Sequence, residues 1–439
     1  MQKPLIALLI SSALLTMNAQ AADLIQVYQQ ALANDATYAS ARAALAAGQE
    51  RTTQGRSGLL PVIGLGGSST KITGDFESKS DNPLGAGSGS RDNSRNQWSL
   101  SLSQPLFRWD RWESYQQSKL SQASTEAVFA QAQQDLITRV AQAYFDVLTA
   151  QDNLSSIQAQ KSATTEQLAS AKRNFEVGTQ TITDTHEAQA AYDLVVAQEF
   201  AAINDLEVKR NALQQIIGTA PASLSTLRPG VTIAAPQPAA IEPWIASAEQ
   251  QNYSVVGAQL NLEIAKREIS RNRAGHLPTL DLVANKGRDS VTASGITKTN
   301  AVGVQWNVPL FSGFAVTSKV RESIALEDKA RNDLEATRRA AAQNARTAFL
   351  GMNSGLAQVR ALEAAEVSSK SALDSNKLGY QVGVRINIDV LNAQRQLYST
   401  QRDLSRARYD TIMNGLRLKS AAGTLKEADL APINELLVK

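Results

Sequence analysis

No cysteine occurs among the 439 residues, and histidine occurs only twice. The first absence excludes disulfides, thiolate metal ligands and a lipid attached to cysteine behind a leader. His186 and His276 lie ninety positions apart, without the companion spacing that zinc or a nucleophile triad needs. A phosphate-binding Gly-x-x-x-x-Gly-Lys-Ser/Thr run is also missing, so any energy input has to come from a partner. No metal, no cofactor and no enzymatic activity are expected. Excess charge is absent too: 44 basic residues stand against 41 acidic ones, which gives no argument for nucleic acid or for an anionic lipid surface.

The first residues read as a secretory leader. Lys3 supplies the positive end, Leu5 to Leu15 an apolar stretch, and Ala19-Gln20-Ala21 a small-residue cleavage site. The stretch is shorter than the roughly 20 residues that span a bilayer. Residues 1–21 are therefore expected to be removed, leaving a mature chain outside the cytoplasm that starts at Ala22.

The rest is written twice. A shift of 205 positions lays Gly178 on Gly383, Asp184 on Asp389, Ala188-Gln189 on Ala393-Gln394 and Gly218 on Gly423. Upstream, Gly58-Leu59-Leu60-Pro61 returns as Gly275-His276-Leu277-Pro278, and Gln104-Pro105-Leu106-Phe107 as Val308-Pro309-Leu310-Phe311. Such a period far exceeds the roughly 20 to 50 residues of solenoid repeats, so each copy is a whole structural unit.

From Arg111 to Val177 there is neither glycine nor proline, and the composition favours one helix about 100 Å long. Leu136, Val140, Ala143, Val147, Ala150, Leu154 and Ile157 step by four and three within it, the pattern of a coiled-coil seam. The second copy answers with Ala341, Ala345, Ala348, Met352, Gly355, Val359 and Leu362, whose smaller side chains predict closer backbone packing. Returning helices are expected from about Thr181 to Ile217 and Asn387 to Ala422. Val177-Gly178 and Val382-Gly383 stand between the limbs, where glycine ends a helix in the left-handed conformation. Spacing alone also admits a kink in place of a reversal.

Elsewhere the period is two. Trp98, Leu100 and Leu102 alternate with serines, and Val302, Val304, Trp306, Val308 and Leu310 with small or polar residues. Partner strands are expected from about Leu60 to Ile72 and Leu277 to Arg288, with loops at Gly74–Arg95 and Asp289–Thr299. Pro105 and Pro309 are read as strand ends. Trp98 and Trp306 qualify as interfacial anchors, and Trp109 and Trp112 as residues where strands meet helix. Strands of roughly ten residues with one apolar face fit a membrane β-barrel. Four strands leave two open edges, which cannot face lipid, so several chains must contribute: two give eight strands, three give twelve. The proline-rich segment 221–243 and the tail 426–439 read as surface pieces at mid-height of the helices, flanking repeats at 22–220 and 244–425.

These features together resemble the TolC family of outer-membrane channel-tunnels, over nearly the whole mature chain. The nearest local match is Gly379-Tyr380-Gln381-Val382-Gly383-Val384-Arg385-Ile386-Asn387-Ile388-Asp389-Val390-Leu391-Asn392-Ala393, with Asn174-Phe175-Glu176-Val177-Gly178 and Ile182-Thr183-Asp184 in the first copy. The resemblance implies an α+β membrane protein of the Gram-negative outer membrane. It implies a homotrimer whose twelve-stranded β-barrel, four strands per chain, continues into a long antiparallel α-helical coiled-coil barrel. It further implies an exit duct for proteins or small toxic compounds, fed by an inner-membrane ABC or proton-driven exporter through a periplasmic adaptor that meets the tips Val177-Gly178 and Val382-Gly383.

Thr183, Asp184, Tyr380 and Arg385 are implied as gating links, with Tyr380 bonding Asp184 and Arg385 reaching Asp184 or the Thr183 backbone. Asp389 is implied as an axial carboxylate ring. The family's second aspartate is Asn392 here, which halves the expected charge at the entrance and with it the cation preference of such a ring. A different class, an envelope-spanning coiled-coil or adhesion protein without a pore, explains the helices and the leader but not the duplicated strand hairpins.

Overall fold

The computed structural model describes residues 21–78, 87–221, 223–292 and 294–438. The expected leader, save its last position, lies outside the described residues. In chain order the elements are α1 (Leu24–Asn34), α2 (Ala36–Ser57), β1 (Val62–Ser78), β2 (Gly87–Phe107), α3 (Trp109–Glu176) and α4 (Ile182–Ile217). The second copy follows with α5 (Glu242–Gln251), α6 (Tyr253–Arg273), β3 (Thr279–Val291), β4 (Gly295–Asn307), α7 (Ala315–Gln381), α8 (Asn387–Ala421) and a terminal turn α9 (Leu430–Asn434). The chain is thus α+β, with a helix–hairpin–helix–helix order given twice.

The fold divides into two compact units that cut across the repeat. Of the described residues, one holds those up to Ala43, Ala127–Val256 and those from Ala336; the other holds those within Ala44–Glu126 and Gly257–Glu335.

The second unit contains one antiparallel sheet in the order β1-β2-β3-β4. Its register sorts the side chains by face. Leu65 lies opposite Leu100, Ile63 opposite Leu102, Leu282 opposite Val304 and Leu280 opposite Trp306, and directly opposed residues share a face. The other face carries Ser99, Ser101 and Ser103, with Asn285 opposite both Ser101 and Ala301. On the apolar face Leu65, Val302 and Trp306 remain 76%, 79% and 71% exposed, so nothing among the described residues covers it. The outer edges of β1 and β4 are likewise unpaired among the described residues.

Three strand expectations change. The segment Asp289–Thr299, read as loop, is mostly ladder, with Asp289 opposite Thr297 and Val291 opposite Gly295. The segment Gly74–Arg95, read as loop, is largely ladder: β1 runs to Ser78 and β2 begins at Gly87, with Asp75 opposite Ser90. Backbone pairing needs no apolar side chains, so it continues where the alternation has faded. Pro105 does not end its strand but sits at a register shift between Pro105 and Phe107, where its missing N–H costs no ladder bond. Trp98 and Trp306 do lie on the apolar face, and Trp109 opens α3.

The first unit is built on α4, α8 and the parts of α3 and α7 that follow Ala127 and Ala336. The 68 residues of α3 form one helix of about 100 Å. Its predicted seam is buried: Leu136, Val140 and Val147 are at 0%, 0% and 1% exposure beside Leu213, Ile217, Met413 and Leu416 in the main core. Each such side chain contributes roughly 1.5–3 kcal/mol. The closer packing predicted for the second copy is present, since a Cβ on Gly355 would stand 2.5 Å from Thr411 Oγ1.

The proline-rich segment and the tail are more than surface pieces. Leu224, Leu430 and Leu437 join the main core, and the Tyr144 hydroxyl donates to the Ser225 carbonyl at 2.7 Å. Burial pushes that phenol well above its ordinary pKa. Composition hid this because three scattered leucines carry no periodicity.

Candidate functional site

Both tips reverse the chain; neither is a kink. After α3, Gly178 takes φ +75°, with Gly178 N–H donating to Phe175 O at 3.0 Å and Thr179 N–H to Asn174 O at 2.9 Å. After α7, Gly383 takes φ +80°, with Gly383 N–H on Tyr380 O at 3.1 Å and Val384 N–H on Gly379 O at 2.8 Å. This is one Schellman closure made twice, and only glycine enters that left-handed position at low cost. The flanking Val177, Val382, Val384 and Ile386 are 73%, 65%, 77% and 62% exposed, an apolar collar on both tips.

Equivalent positions then part company. Thr181 caps α4 through a reciprocal box: it accepts the Asp184 N–H at 3.3 Å while Asp184 Oδ2 accepts the Thr181 N–H at 3.1 Å. In the second copy Thr181 is replaced by Ile386, and α8 starts with no side-chain cap. Asp389, the twin of Asp184, is released from capping and lies 3.7 Å from Arg385, both partly exposed. A pair of this kind contributes roughly 0.2–1 kcal/mol.

The expected Tyr380–Asp184 bond is therefore not the one made within this chain. The Asp184 carboxylate is held by Thr181, and the Tyr380 hydroxyl instead accepts from the Gln180 amide. Nor does Arg385 reach Asp184 within the chain, its partner being Asp389. Thr183 stands exposed beside Asp184, and Asn392 accepts from Arg395.

Sequence reading missed Asn387. It is at 0% exposure; its amide donates to the Asp184 carbonyl at 3.2 Å and accepts from Gln167 Nε2 at 2.5 Å. A signal existed: the repeat aligns Asn387 with Ile182 and Arg385 with Gln180, polar changes at a helix start that invite the question of what they bond. Among the described residues no cluster of side chains could hold a metal ion. The arrangement offers hydrogen bonds, exposed apolar tips and a weakly paired carboxylate, and no set of groups convergent on bond-making.

Comparison with known proteins agrees with this. The family model described as outer membrane efflux protein matches residues 27–219 and 244–424, once per repeat, leaving out the proline-rich segment. The outer membrane protein TolC of Vibrio cholerae is 35% identical over 98% of this chain and 98% of its own. The alkaline protease secretion protein AprF of Pseudomonas aeruginosa is 31% identical over 95% of this chain and 88% of its own. Among solved structures, the outer membrane protein VceC of Vibrio cholerae superposes with a TM-score of 0.77 at 20% identity, covering 91% of this chain and 96% of that one.

Proposed function

This chain belongs to the outer membrane efflux protein family, whose members are outer-membrane channels and not enzymes, and from that premise we propose a gated homotrimeric exit duct. The observation that carries the proposal is the sheet: four strands, one apolar face left uncovered, and two unpaired edges. Lipid tolerates neither an open edge nor an unsatisfied backbone. Three copies close the edges into twelve strands with serines and Asn285 on the lumen side, and the long hairpins continue the passage into the periplasm.

In this reading the exposed valines at Val177-Gly178 and Val382-Gly383 are contact points for a periplasmic adaptor, and an inner-membrane exporter, ABC or proton-driven, supplies the energy. Thr183, Asp184, Tyr380 and Arg385 remain the gating links, with Gln180 added as the partner of Tyr380 inside the chain. Arg385 stays half-exposed beside Asp389, free to exchange that weak bond for one to a neighbouring copy. Asp389 lines the entrance, its charge offset by Arg385. Relatives carry names for protease secretion and for efflux, and cargo of either kind is compatible with a passive duct.

The test is single-channel conductance of the mature protein in planar bilayers, wild type against Tyr380→Phe with Arg385→Ser. Small steps that grow in the variant are expected. Absence of steps from a verified inserted assembly would overturn the duct.

A further inference from the structure

The apolar face of the sheet changes character at one row. Outward from the ends that lead into α3 and α7, it carries Leu280 with Trp306, then Leu282 with Val304, then Ile63, Leu102 and Val302, then Leu65 and Leu100. The next row is Gly67, Trp98, Arg288 and Lys298, and Lys286 stands opposite Leu100 one row before it. Beyond, the same face turns to Ser69, Asn96 and Ser290, with Ile296 as its apolar member. Three cations are thus gathered where the apolar surface ends. The near balance of charge over the whole chain hides them.

Their spacing is unfavourable by itself. Arg288 and Lys298 are directly opposed across β3 and β4, which sets their Cβ atoms about 5 Å apart. Lys286 lies diagonal to Lys298 and two residues from Arg288, within about 7–8 Å of each. Like charges in this arrangement destabilise a strand pair, and nothing in the chain relieves them. All three are exposed, and among the described residues none makes an ion pair or a side-chain hydrogen bond. Asp289 falls on the other face and is held by Arg95 at 2.6 Å, while Asp92, further along this face, is held by Lys71 at 3.3 Å.

A lysine on an edge strand deters edge-to-edge aggregation, which accounts for Lys298 on β4. It does not account for Lys286 and Arg288, because β3 is paired on both sides. The level of the row supplies another reason. Lys298 stands eight residues from Trp306 on one strand, about 27 Å along it and about 20 Å in height at the tilt of a membrane barrel. Trp306 and Trp98 therefore mark the two margins of the apolar band, and the cations lie at the margin of Trp98. A charge is tolerated there and expelled at the midplane. Since the long helices leave from the Trp306 end, the Trp98 margin meets the outer leaflet.

We propose that Lys286, Arg288 and Lys298 bind the phosphate groups of the phosphorylated glycolipid that forms the outer leaflet of a Gram-negative outer membrane, its acyl chains lying along Leu65, Leu100 and Val302. This rests on the barrel reading and deepens it. Phosphate oxygens accept charge-assisted bonds from all three side chains, two of them from the guanidinium fork, and their charge removes the repulsion that the bare sheet leaves standing. The surface is continuous: cations for the headgroup, then leucines and valines for the chains.

The test titrates the purified mature protein in nonionic detergent with diphosphoryl lipid A and counts bound lipid by native mass spectrometry. Lipid A is expected to bind at least about fivefold more tightly than its dephosphorylated form or phosphatidylglycerol, a preference that shrinks as salt rises. Lys286→Ser with Arg288→Ser weakens it on the order of tenfold. Lys71→Ser, whose ammonium is already taken by Asp92, changes it by less than about twofold. The melting midpoint gives a second readout with opposite signs. Arg288→Gln removes the repulsion from Lys298 and raises the midpoint without lipid, yet lowers it relative to wild type once lipid A is present.

Equal binding by wild type and the paired variant, or equal binding of lipid A and phosphatidylglycerol, overturns the proposal. So does a midpoint lowered by Arg288→Gln in lipid-free detergent, which would mean that a carboxylate of a neighbouring copy holds the arginine. Wild-type protein that inserts into no bilayer refutes the barrel reading itself, a separate outcome. Should the paired variant not assemble, Lys298→Gln on the exposed edge strand takes its place, with about a fivefold loss expected.

Discussion

Asp35 holds the turn between α1 and α2 and pins it to α3, and its removal has a calculable consequence. The residue is 5% exposed. One carboxylate oxygen accepts the Tyr38 N–H at 2.6 Å, as an N-cap does, and both accept from Arg139 at 3.0 Å. Asp35→Asn keeps the cap and loses the charge-assisted pair, nominally about 1.5–3 kcal/mol per bond. Arg139 is 37% exposed, so solvent screening reduces the loss to about 2 kcal/mol. Asp35→Ala also loses the cap, roughly 1 kcal/mol more. At roughly 2–3 °C per kcal/mol for a unit of this size, the melting midpoint, followed by helical circular dichroism, falls by about 5 °C and 8 °C.

The pH dependence carries the sign. Burial pushes the Asp35 carboxyl upward, but the bonds from Arg139 and the Tyr38 backbone outweigh it and hold its pKa below the ordinary value. A carboxylate depressed on folding stabilises above its unfolded pKa, and that contribution disappears as pH falls through the folded one. The gap between wild type and Asp35→Asn is therefore full above about pH 5 and closes on acidification below pH 4. A gap that stays constant down to pH 2.5, or equal losses in the two variants, refutes this assignment.

Other outcomes follow from the same geometry. Gly423→Ala places a Cβ 2.3 Å from the Gln251 carbonyl at φ +74° and should abolish folding, whereas Gly178→Ala, with open space around it, costs only about 1 kcal/mol; proteolysis of the purified chains separates the two. Burial raises the Asp152 pKa against the lowering bonds from Tyr409 and Ser405, so the charged form costs stability above the folded pKa. Asp152→Asn, which keeps an acceptor for Tyr409, should raise the midpoint at pH 7 and lose that advantage toward pH 4; a lowered midpoint at pH 7 contradicts it. Asp389→Asn should reduce cation preference in reversal-potential measurements by less than twofold, because Arg385 already offsets the charge; abolition of selectivity would show that Asp389 acts unpaired.

How much of this was legible in the chain differs by element. The long helices were, because a stretch without glycine or proline admits little else, and the tips were, because Gly178 and Gly383 recur at one offset. Strand faces were readable where Trp98 to Leu102 alternate, but not strand lengths, since pairing through Gly74–Ser78 rests on the backbone alone. The site was legible only as a list of positions. Which atoms meet depends on two helices brought together across some two hundred residues, and the local competition for Asp184, won by Thr181, shows in no pattern. Asn387 left one trace, a mismatch with Ile182 inside an otherwise faithful repeat.

The unpaired edges of β1 and β4 bear on biogenesis. In the proposed trimeric duct a lone chain cannot enter the bilayer with its backbone satisfied, so insertion and association become a single concentration-dependent event. Until copies meet, each carries two adhesive strands and a bare Val302-to-Trp306 face through the periplasm. On that proposal the risk during export is mispairing with a foreign edge, and the step most in need of a chaperone is the wait for further copies.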